Sequence, residues 1–168
     1  MSAKEFIEHY NQTFNVEGRN LIQEFFIIFS RFEYALKACN FINGNDRITP
    51  NWDAYVVTIS DSFKPDKNEI LNEAVKYIIE NPPKVQAINN QTIIWSDRNL
   101  DDNTPLVNRL RLHISDIRNN LFHGGKFNGT FSPENSRNFK LLKNSIIILN
   151  DWLEISPDIK NQFCQPMQ

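Results

Sequence analysis

The first half of the chain carries hydrophobic residues at the three- and four-residue spacing of amphipathic helices. One stretch runs from about Asn20 to Phe41, and its apolar stripe is wide enough to predict deep burial. A second stretch follows Thr49, which is expected to be the N-cap, and Pro50, which suits the first helical position. The apolar positions are Leu21, Phe25, Ile28, Phe29, Phe32, Leu36 and Cys39 in the first stretch, and Trp52, Tyr55, Val56 and Ile59 in the second.

A third helix is predicted from near Lys67 to Pro82-Pro83. Its inward positions are expected to be Ile70, Leu71, Ala74, Val75, Ile78 and Ile79. Between Pro83 and Asn103 the helical spacing fails, and short β-favouring runs alternate with turn residues. We expect a long irregular connection there, with or without a short extended piece. Loops of that length in compact domains often have a function.

Two further helices have the clearest signals. The first is predicted to have Asn103 or Thr104 as its N-cap, followed by Pro105, and to end at Gly124-Gly125. The second is predicted to have Ser132 as its N-cap, followed by Pro133, and to end at Pro157. Their apolar stripes are Leu106, Leu110, Ile114, Ile117 and Leu121, and then Phe139, Leu142, Ile146, Leu149, Trp152 and Leu153. The short loop between them contains glycine and favours antiparallel packing.

These elements predict an all-α fold, an up-and-down helical bundle of four to five core helices with little strand. No repeat, low-complexity segment or long linker divides the chain, so residues 1–168 are expected to form a single domain.

Composition narrows the class of protein. The formal net charge is −2 and the isoelectric point is near 5.9, which disfavours coating of long nucleic acid by bulk charge but allows a local basic cleft. Cys39 and Cys164 lack the spacing of a zinc site or a disulfide framework, which suits a reducing compartment. The most apolar run, 25–29, is far shorter than the ~20 residues of a membrane span. We therefore expect a soluble, cytoplasmic protein that does not contact a membrane.

The run DIRNNLFHGGKF, residues 116–127, concentrates polar groups at the predicted end of the fourth helix. Its polar side chains include Asp116, Arg118, Asn119, Asn120 and His123. Asn119 and His123 are four residues apart and share one helix face, while Ile117 and Leu121 are expected to point to the core. An arginine, two amides, a carboxylate and an imidazole are thus predicted to gather where this helix ends.

The same residues also fit a purely structural helix end. A surface arginine is usually a solvated side chain, and a histidine before two glycines often belongs only to a C-terminal cap. His113 and His9 show no metal-ligand spacing with His123, so no metal site is expected. The common phosphate-loop, dinucleotide, zinc-protease and serine-hydrolase motifs do not occur.

The run resembles the signature of the HEPN domain family, small all-α RNases and nucleotide-binding modules. In that signature an arginine is followed by a polar residue, often Asn, and after a short spacer by a histidine; Arg118, Asn119 and His123 match these positions. The order of elements is also similar, with a hydrophobic first long helix containing FSRFEYALK, a variable middle, the motif helix and a closing helix. The resemblance covers roughly Asn20 to Leu153. Within the family, the chain is most similar to small stand-alone HEPN proteins of bacterial plasmids and other mobile elements.

The resemblance implies a four- or five-helix bundle that forms a homodimer, with the motif helices of both subunits lining one cleft. Catalytic members are metal-independent endoribonucleases that use no cofactor and are often toxins or defence effectors, so an antitoxin or other partner protein is a further expectation. Toxins of the family that are silenced by nucleotidylation carry a tyrosine two residues after the histidine. Here that position is Gly125, which argues against that form of control.

Cleavage by a ribose 2′-OH requires a base, a proton donor for the leaving group and a cation for the phosphorane. His123 is the candidate base or acid, and Arg118 is the candidate phosphate clamp. Asn119 is expected to orient the imidazole or to bind a phosphate oxygen. Further candidate contacts to the RNA are Asn120, Lys126 and Asp116. One chain offers one such histidine, so a two-fold dimer would supply the second.

Two other functions remain open from the sequence. The chain could be a non-catalytic HEPN module that binds a nucleotide, RNA or a partner protein. Alternatively, it could be an unrelated helical interaction protein in which RNNLFH is a capped terminus. If the chain is a HEPN endoribonuclease or a HEPN binding module, Arg118 and His123 should line one cleft at a dimer seam. If it is an unrelated helical protein, they should face bulk water or pack inertly.

Overall fold

A computed structural model of the protein describes residues 2–13, 15–122 and 136–166. Seven helices lie within these residues, together with two small antiparallel sheets. In chain order the elements are α1 (Ala3–Thr13), α2 (Val16–Ala38), β1 (Ile42–Asn43), β2 (Thr49–Pro50), α3 (Trp52–Ile59), α4 (Glu69–Glu80), β3 (Val85–Asn89), β4 (Thr92–Ser96), α5 (Leu106–Phe122), α6 (Arg137–Glu154) and α7 (Pro157–Phe163). The predicted all-α character is confirmed at this coarse level.

The core is built around α6, which packs against both α2 and α4. α2 packs along α6 and α7, α4 packs against α6, and α3 packs against α5. The predicted stripe of α6 is fully confirmed, since all six of its positions are buried. Helix α5 makes more contact with α3 and α4 than with α6, and the loop that joins α5 to α6 lies outside the described residues. Within the described ranges, no helix has an apolar run that would let it cross a bilayer.

An aromatic cluster joins α2, α3 and α6. Trp52 stacks on Phe32 with ring centroids 5.1 Å apart, and the edge of Tyr55 meets Trp152 at 6.4 Å. The Tyr55 hydroxyl donates to the Trp152 carbonyl oxygen at 3.1 Å and lies 2.9 Å from Ser156 Oγ. Burial raises the pKa of Tyr55 well above its usual value, so this hydroxyl stays protonated and the polar end of a core residue is satisfied.

Two predicted core positions are wrong. Ile70 is 67% exposed and Leu106 is 40% exposed. Both have the correct helical spacing, but both lie in the first turn of their helices, which the neighbouring elements do not cover. Burial at such positions depends on the length of the packing partner, and periodicity carries no information about that length.

Two predicted helix starts are also wrong. Helix α3 is capped by Asn51, whose Oδ1 accepts from the Ala54 N–H at 3.0 Å, whereas Thr49 belongs to β2. Helix α6 is capped by Ser136, whose Oγ accepts from the Phe139 N–H at 3.2 Å. The cap predicted for it, Ser132, lies outside the described residues. In each case a second capping residue stands a few positions further along the chain.

The connection predicted to be irregular contains a β-hairpin. β3 and β4 pair antiparallel from Val85↔Ser96 to Asn89↔Thr92. The two turn residues, Asn90 and Gln91, have positive φ angles of 46° and 62°. Two consecutive residues of this conformation form the tight turn whose twist suits a hairpin. The usual sequence signal for this turn is Asn-Gly, and Asn-Gln is a much weaker one.

The two candidate caps of α3 can be separated by their effect on stability. Asn51→Ala should lower the free energy of unfolding by about 1 kcal/mol, because the first turn of α3 loses its side-chain acceptor. Thr49→Ala is the matched control and should change it by less than about 0.5 kcal/mol, since Thr49 is exposed. Urea denaturation of both variants measures the difference. An equal or larger loss in Thr49→Ala would contradict the observed cap.

Candidate functional site

Two side chains on α5 hold the two ends of the hairpin. Arg98, which follows β4, donates from Nε to Asp116 Oδ2 at 2.6 Å, and its Nη2 pairs with the other carboxylate oxygen. One helical turn later, Asn120 Nδ2 donates to the carbonyl oxygen of Lys84, the residue before β3, at 2.7 Å. Because residues 116 and 120 share one face of α5, the base of the hairpin is fixed along that face.

The Arg98–Asp116 pair is a buried, bidentate interaction. Asp116 is only 3% exposed, and the side chain of Arg98 is 31% exposed. The hydrogen bond with Asp116 raises the pKa of Arg98 above its ordinary value. A carboxylate in this position is stable only when its charge and its lone pairs are matched, which the planar guanidinium does.

His113 lies one turn before Asp116 and is also buried, at 3% exposure. Burial lowers the pKa of His113, and the positive charges of Arg98 and Arg109 act in the same direction, while Asp116 opposes them. Its Nδ1 has no hydrogen-bond partner among the described residues. His113 is therefore neutral at pH 7 and lies buried near the Arg98–Asp116 pair.

Arg118 lies between two aromatic rings near the end of α5. Its guanidinium carbon is 5.6 Å from the ring centroid of Phe29 and 5.2 Å from that of Phe122. Nη1 donates to Asn119 Oδ1 at 3.0 Å, and Nη2 is 3.7 Å from Glu33 Oε2. The side chain is 35% exposed, so the guanidinium is held in place but still reaches solvent.

Glu33 is the carboxylate that faces this guanidinium. It lies on α2, and its Oε1 accepts from Trp52 Nε1 at 3.3 Å. The side chain is 24% exposed, and its separation from Arg118 is longer than that of a strong charge-assisted hydrogen bond. Glu33 therefore orients Arg118 through a loose ion pair, while Trp52 fixes the carboxylate.

A cleft of about 290 Å³ opens between β3 and α5. It is lined by Val85, Gln86, Arg98, Asp116, Asn119 and Asn120. Asn119 both lines this cleft and accepts the hydrogen bond from Arg118. The cleft and the exposed edge of the guanidinium are consequently neighbours.

The structure brings together four of the six site residues predicted from the sequence. Arg118 and Asn119 are hydrogen-bonded at the cleft edge, while Asp116 and Asn120 line the cleft and hold the hairpin. The other two, His123 and Lys126, lie outside the described residues. Ile117 and Leu121 are buried, as the helical spacing predicted.

Sequence reasoning missed Arg98, Gln86 and Glu33. Arg98 and Gln86 stand in the segment that was expected to be irregular, so no periodicity placed them near α5. A usable signal for Arg98 was the position of Asp116 next to the apolar stripe, because a carboxylate there requires a cation. Glu33 is part of FSRFEYALK and flanks the stripe of α2, but nothing in the sequence pairs it with Arg118.

Comparison with known proteins adds no assignment, since the chain matches no protein-family model, no curated protein and no solved structure. In the part of the chain that the structure describes, no three His, Cys, Asp or Glu side chains come together as metal ligands would.

His113 should make the stability of the protein depend on pH. Below about pH 6.5 the unfolded chain takes up a proton that the folded His113 resists, so the free energy of unfolding falls as the pH falls. Above that pH the residue is neutral in both states and contributes no pH dependence. Between about pH 7 and pH 5, wild type should lose stability more steeply than His113→Gln in denaturant titrations. Parallel pH profiles for the two proteins would contradict this assignment.

Proposed function

We propose that this protein is a HEPN-like, metal-independent endoribonuclease that acts as a toxin or defence effector in the cytoplasm. The observation that carries the proposal is the environment of Arg118. Its guanidinium is held by two rings and the Asn119 carboxamide, it reaches solvent, and it lies five residues before His123 in the motif. A preoriented, solvent-accessible guanidinium at the end of a helix is well suited to clamp a phosphate.

The reaction proposed for this site begins with removal of the proton from a ribose 2′-OH by a histidine base. The 2′-oxygen then forms a bond to phosphorus, the bond from phosphorus to the 5′-oxygen breaks, and an acid protonates that oxygen. The products are a 2′,3′-cyclic phosphate and a 5′-OH end. His123 supplies the base or the acid, and Arg118 stabilises the added negative charge on the phosphorane.

A homodimer is part of the proposal, because one chain has one motif histidine and the reaction needs two proton-transfer groups. The surface beside Arg118 supports it. Phe26 and Phe122 lie against each other with ring centroids 5.1 Å apart, yet they are 45% and 49% exposed. Exposed aromatic side chains grouped in this way are typical of an interface.

A second candidate function is a non-catalytic module that binds RNA or a partner protein such as an antitoxin. The outer face of the hairpin favours it, since Ile88 and Ile93 are directly paired across the strands and are 79% and 66% exposed. An apolar pair of this kind suits contact with another macromolecule. In this case RNA or protein would be bound without any cleavage.

Replacement of either motif residue should abolish cleavage without unfolding the protein. Arg118→Ala and His123→Ala should each lower the rate of RNA cleavage by ~10²-fold or more, because each removes a charge-stabilising or proton-transfer group. Cleavage by wild type should be unchanged in EDTA. The measurement is single-turnover cleavage of a labelled RNA, with detection of the cyclic phosphate at the new 3′ end.

Arg118→Lys is the matched variant for this experiment, since it keeps the positive charge but loses the two-pronged donor geometry. It should also be strongly impaired. Melting temperatures of both Arg118 variants should stay within a few degrees of wild type, because the ion pair with Glu33 is partly exposed and contributes about 1 kcal/mol at most. The same is expected of His123→Ala, since His123 does not belong to the predicted apolar stripe of its helix. Loss of fold in both alanine variants, or cleavage that requires magnesium, would refute the proposal.

The proposed dimer predicts that activity depends on protein concentration. Specific activity per subunit should fall on dilution below the dimer dissociation constant, since each site needs both chains. Phe26→Ser should move this loss of activity to higher protein concentration, because it removes exposed apolar area beside Arg118 without removing a ring that contacts its guanidinium. Ile88→Ser is the control, since Ile88 is also exposed and apolar but lies on the hairpin, and it should leave the concentration dependence unchanged. Light scattering follows the mass in parallel. A monomer with constant specific activity would leave His123 working alone.

A further inference from the structure

We propose that the cleft between β3 and the end of α5 binds one unpaired purine base of the RNA substrate, with guanine preferred. This inference rests on the function proposed for Arg118 and His123 and adds a base-recognition subsite to it. The subsite consists of Gln86, Arg98, Asn119 and Asn120.

The size and position of the cleft fit a single nucleotide. Its volume of about 290 Å³ is at the lower end of small-molecule sites, which suits one base and excludes a duplex. Proteins that recognise RNA sequence bind unpaired bases and hydrogen-bond to their edges. Asn119 connects this cleft to Arg118 through its 3.0 Å hydrogen bond, so a base in the cleft and a phosphate at Arg118 would belong to the same or adjacent nucleotides.

The charge balance of the cleft favours a neutral base over a phosphate. The positive charge of Arg98 is matched by Asp116, which is buried beside it in the cleft wall. An anion placed there would meet that carboxylate as well as the guanidinium. Among the described residues, the carboxylate that pairs with Arg118 is Glu33, at the longer distance of 3.7 Å, so Arg118 is the better phosphate ligand of the two arginines.

The hydrogen-bonding groups that remain available favour guanine. Arg98 uses two of its five N–H groups on Asp116, and Asn119 uses its oxygen for Arg118, which leaves mainly donors at this end of the cleft. Guanine offers two adjacent acceptors, O6 and N7, and arginine is their commonest partner.

Asn120 uses its amino group for the Lys84 carbonyl, which leaves its carbonyl oxygen as an acceptor. Gln86 is exposed and provides both a donor and an acceptor at the opposite wall.

The test uses equilibrium binding that does not depend on cleavage. Short oligouridine RNAs with a central G, A, C or U, fully 2′-O-methylated so that they cannot be cleaved, are titrated with the full-length protein in EDTA and followed by fluorescence anisotropy. Wild type should bind the G-containing RNA about tenfold more tightly than the all-U RNA, as expected for one good contact to a base edge. Gln86→Ala and Asn119→Asp should each lose most of this preference.

Asn89→Ala is the matched control, because Asn89 is an exposed carboxamide on the same strand as Gln86 but outside the cleft. It should retain the preference for G. Melting temperatures and circular dichroism confirm that each variant is folded, and Gln86→Ala should pass because the side chain is exposed.

The outcomes separate this inference from the proposed catalysis. G-selective binding that is lost in Gln86→Ala supports the subsite even if wild type cleaves no RNA, in which case the proposed catalysis fails alone. Cleavage by wild type without base preference overturns the subsite and leaves the catalytic proposal intact. Equal affinity for all four RNAs, no detectable binding, or a preference that survives Gln86→Ala or disappears in Asn89→Ala also overturns it.

Discussion

The position of the hairpin, and with it the cleft, depends on one buried carboxylate. Asp116 is 3% exposed, and an unpaired charge at that depth would destabilise the fold by several kcal/mol. The chain meets this requirement with Arg98, which is eighteen residues away and follows the hairpin. Pairing the two brings the end of β4 onto α5, and the bond from Asn120 to the Lys84 carbonyl brings the start of β3 to the next turn. The hairpin is therefore fixed at both ends, and the cleft beside it follows from this arrangement.

Arg118 is held by a different kind of interaction. Two aromatic faces restrict its guanidinium, while its ionic partner Glu33 stays at 3.7 Å and is itself bonded to Trp52. A partly exposed ion pair of this length contributes about 1 kcal/mol or less. A phosphate, which can accept two parallel hydrogen bonds from a guanidinium, would compete well against it. The site is thus preoriented by packing rather than by a strong salt bridge, which leaves the charge usable for binding.

The sequence indicated Arg118 as a site residue but not Arg98, and the difference shows what local patterns can predict. The stripes of α3 and α6, and the buried positions Ile117 and Leu121, follow from local spacing and were predicted correctly. Asp116, Arg118, Asn119 and Asn120 could also be grouped from the sequence, because they are neighbours on one helix. Arg98 and Gln86 were missed because their approach to α5 depends on a hairpin whose turn, Asn90-Gln91, has a weak signal. The start of α3 is a similar case. Both Thr49 and Asn51 are good N-cap residues, and the sequence alone does not say which of them caps the helix in the folded protein.

Some residues of the site have two roles, and this decides which substitutions can report on function. Asp116 and Asn120 line the cleft, but each also holds the hairpin, so their removal would affect stability and binding together. Breaking a buried pair by deleting one partner costs about 3–5 kcal/mol, a large part of the 5–15 kcal/mol that stabilises a typical domain. Loss of activity in an Asp116 variant would thus have two explanations. Within the described residues, the side chains of Gln86 and Arg118 donate no hydrogen bond to the backbone of another element, so substitutions at these two positions disturb the fold less and report more directly on recognition.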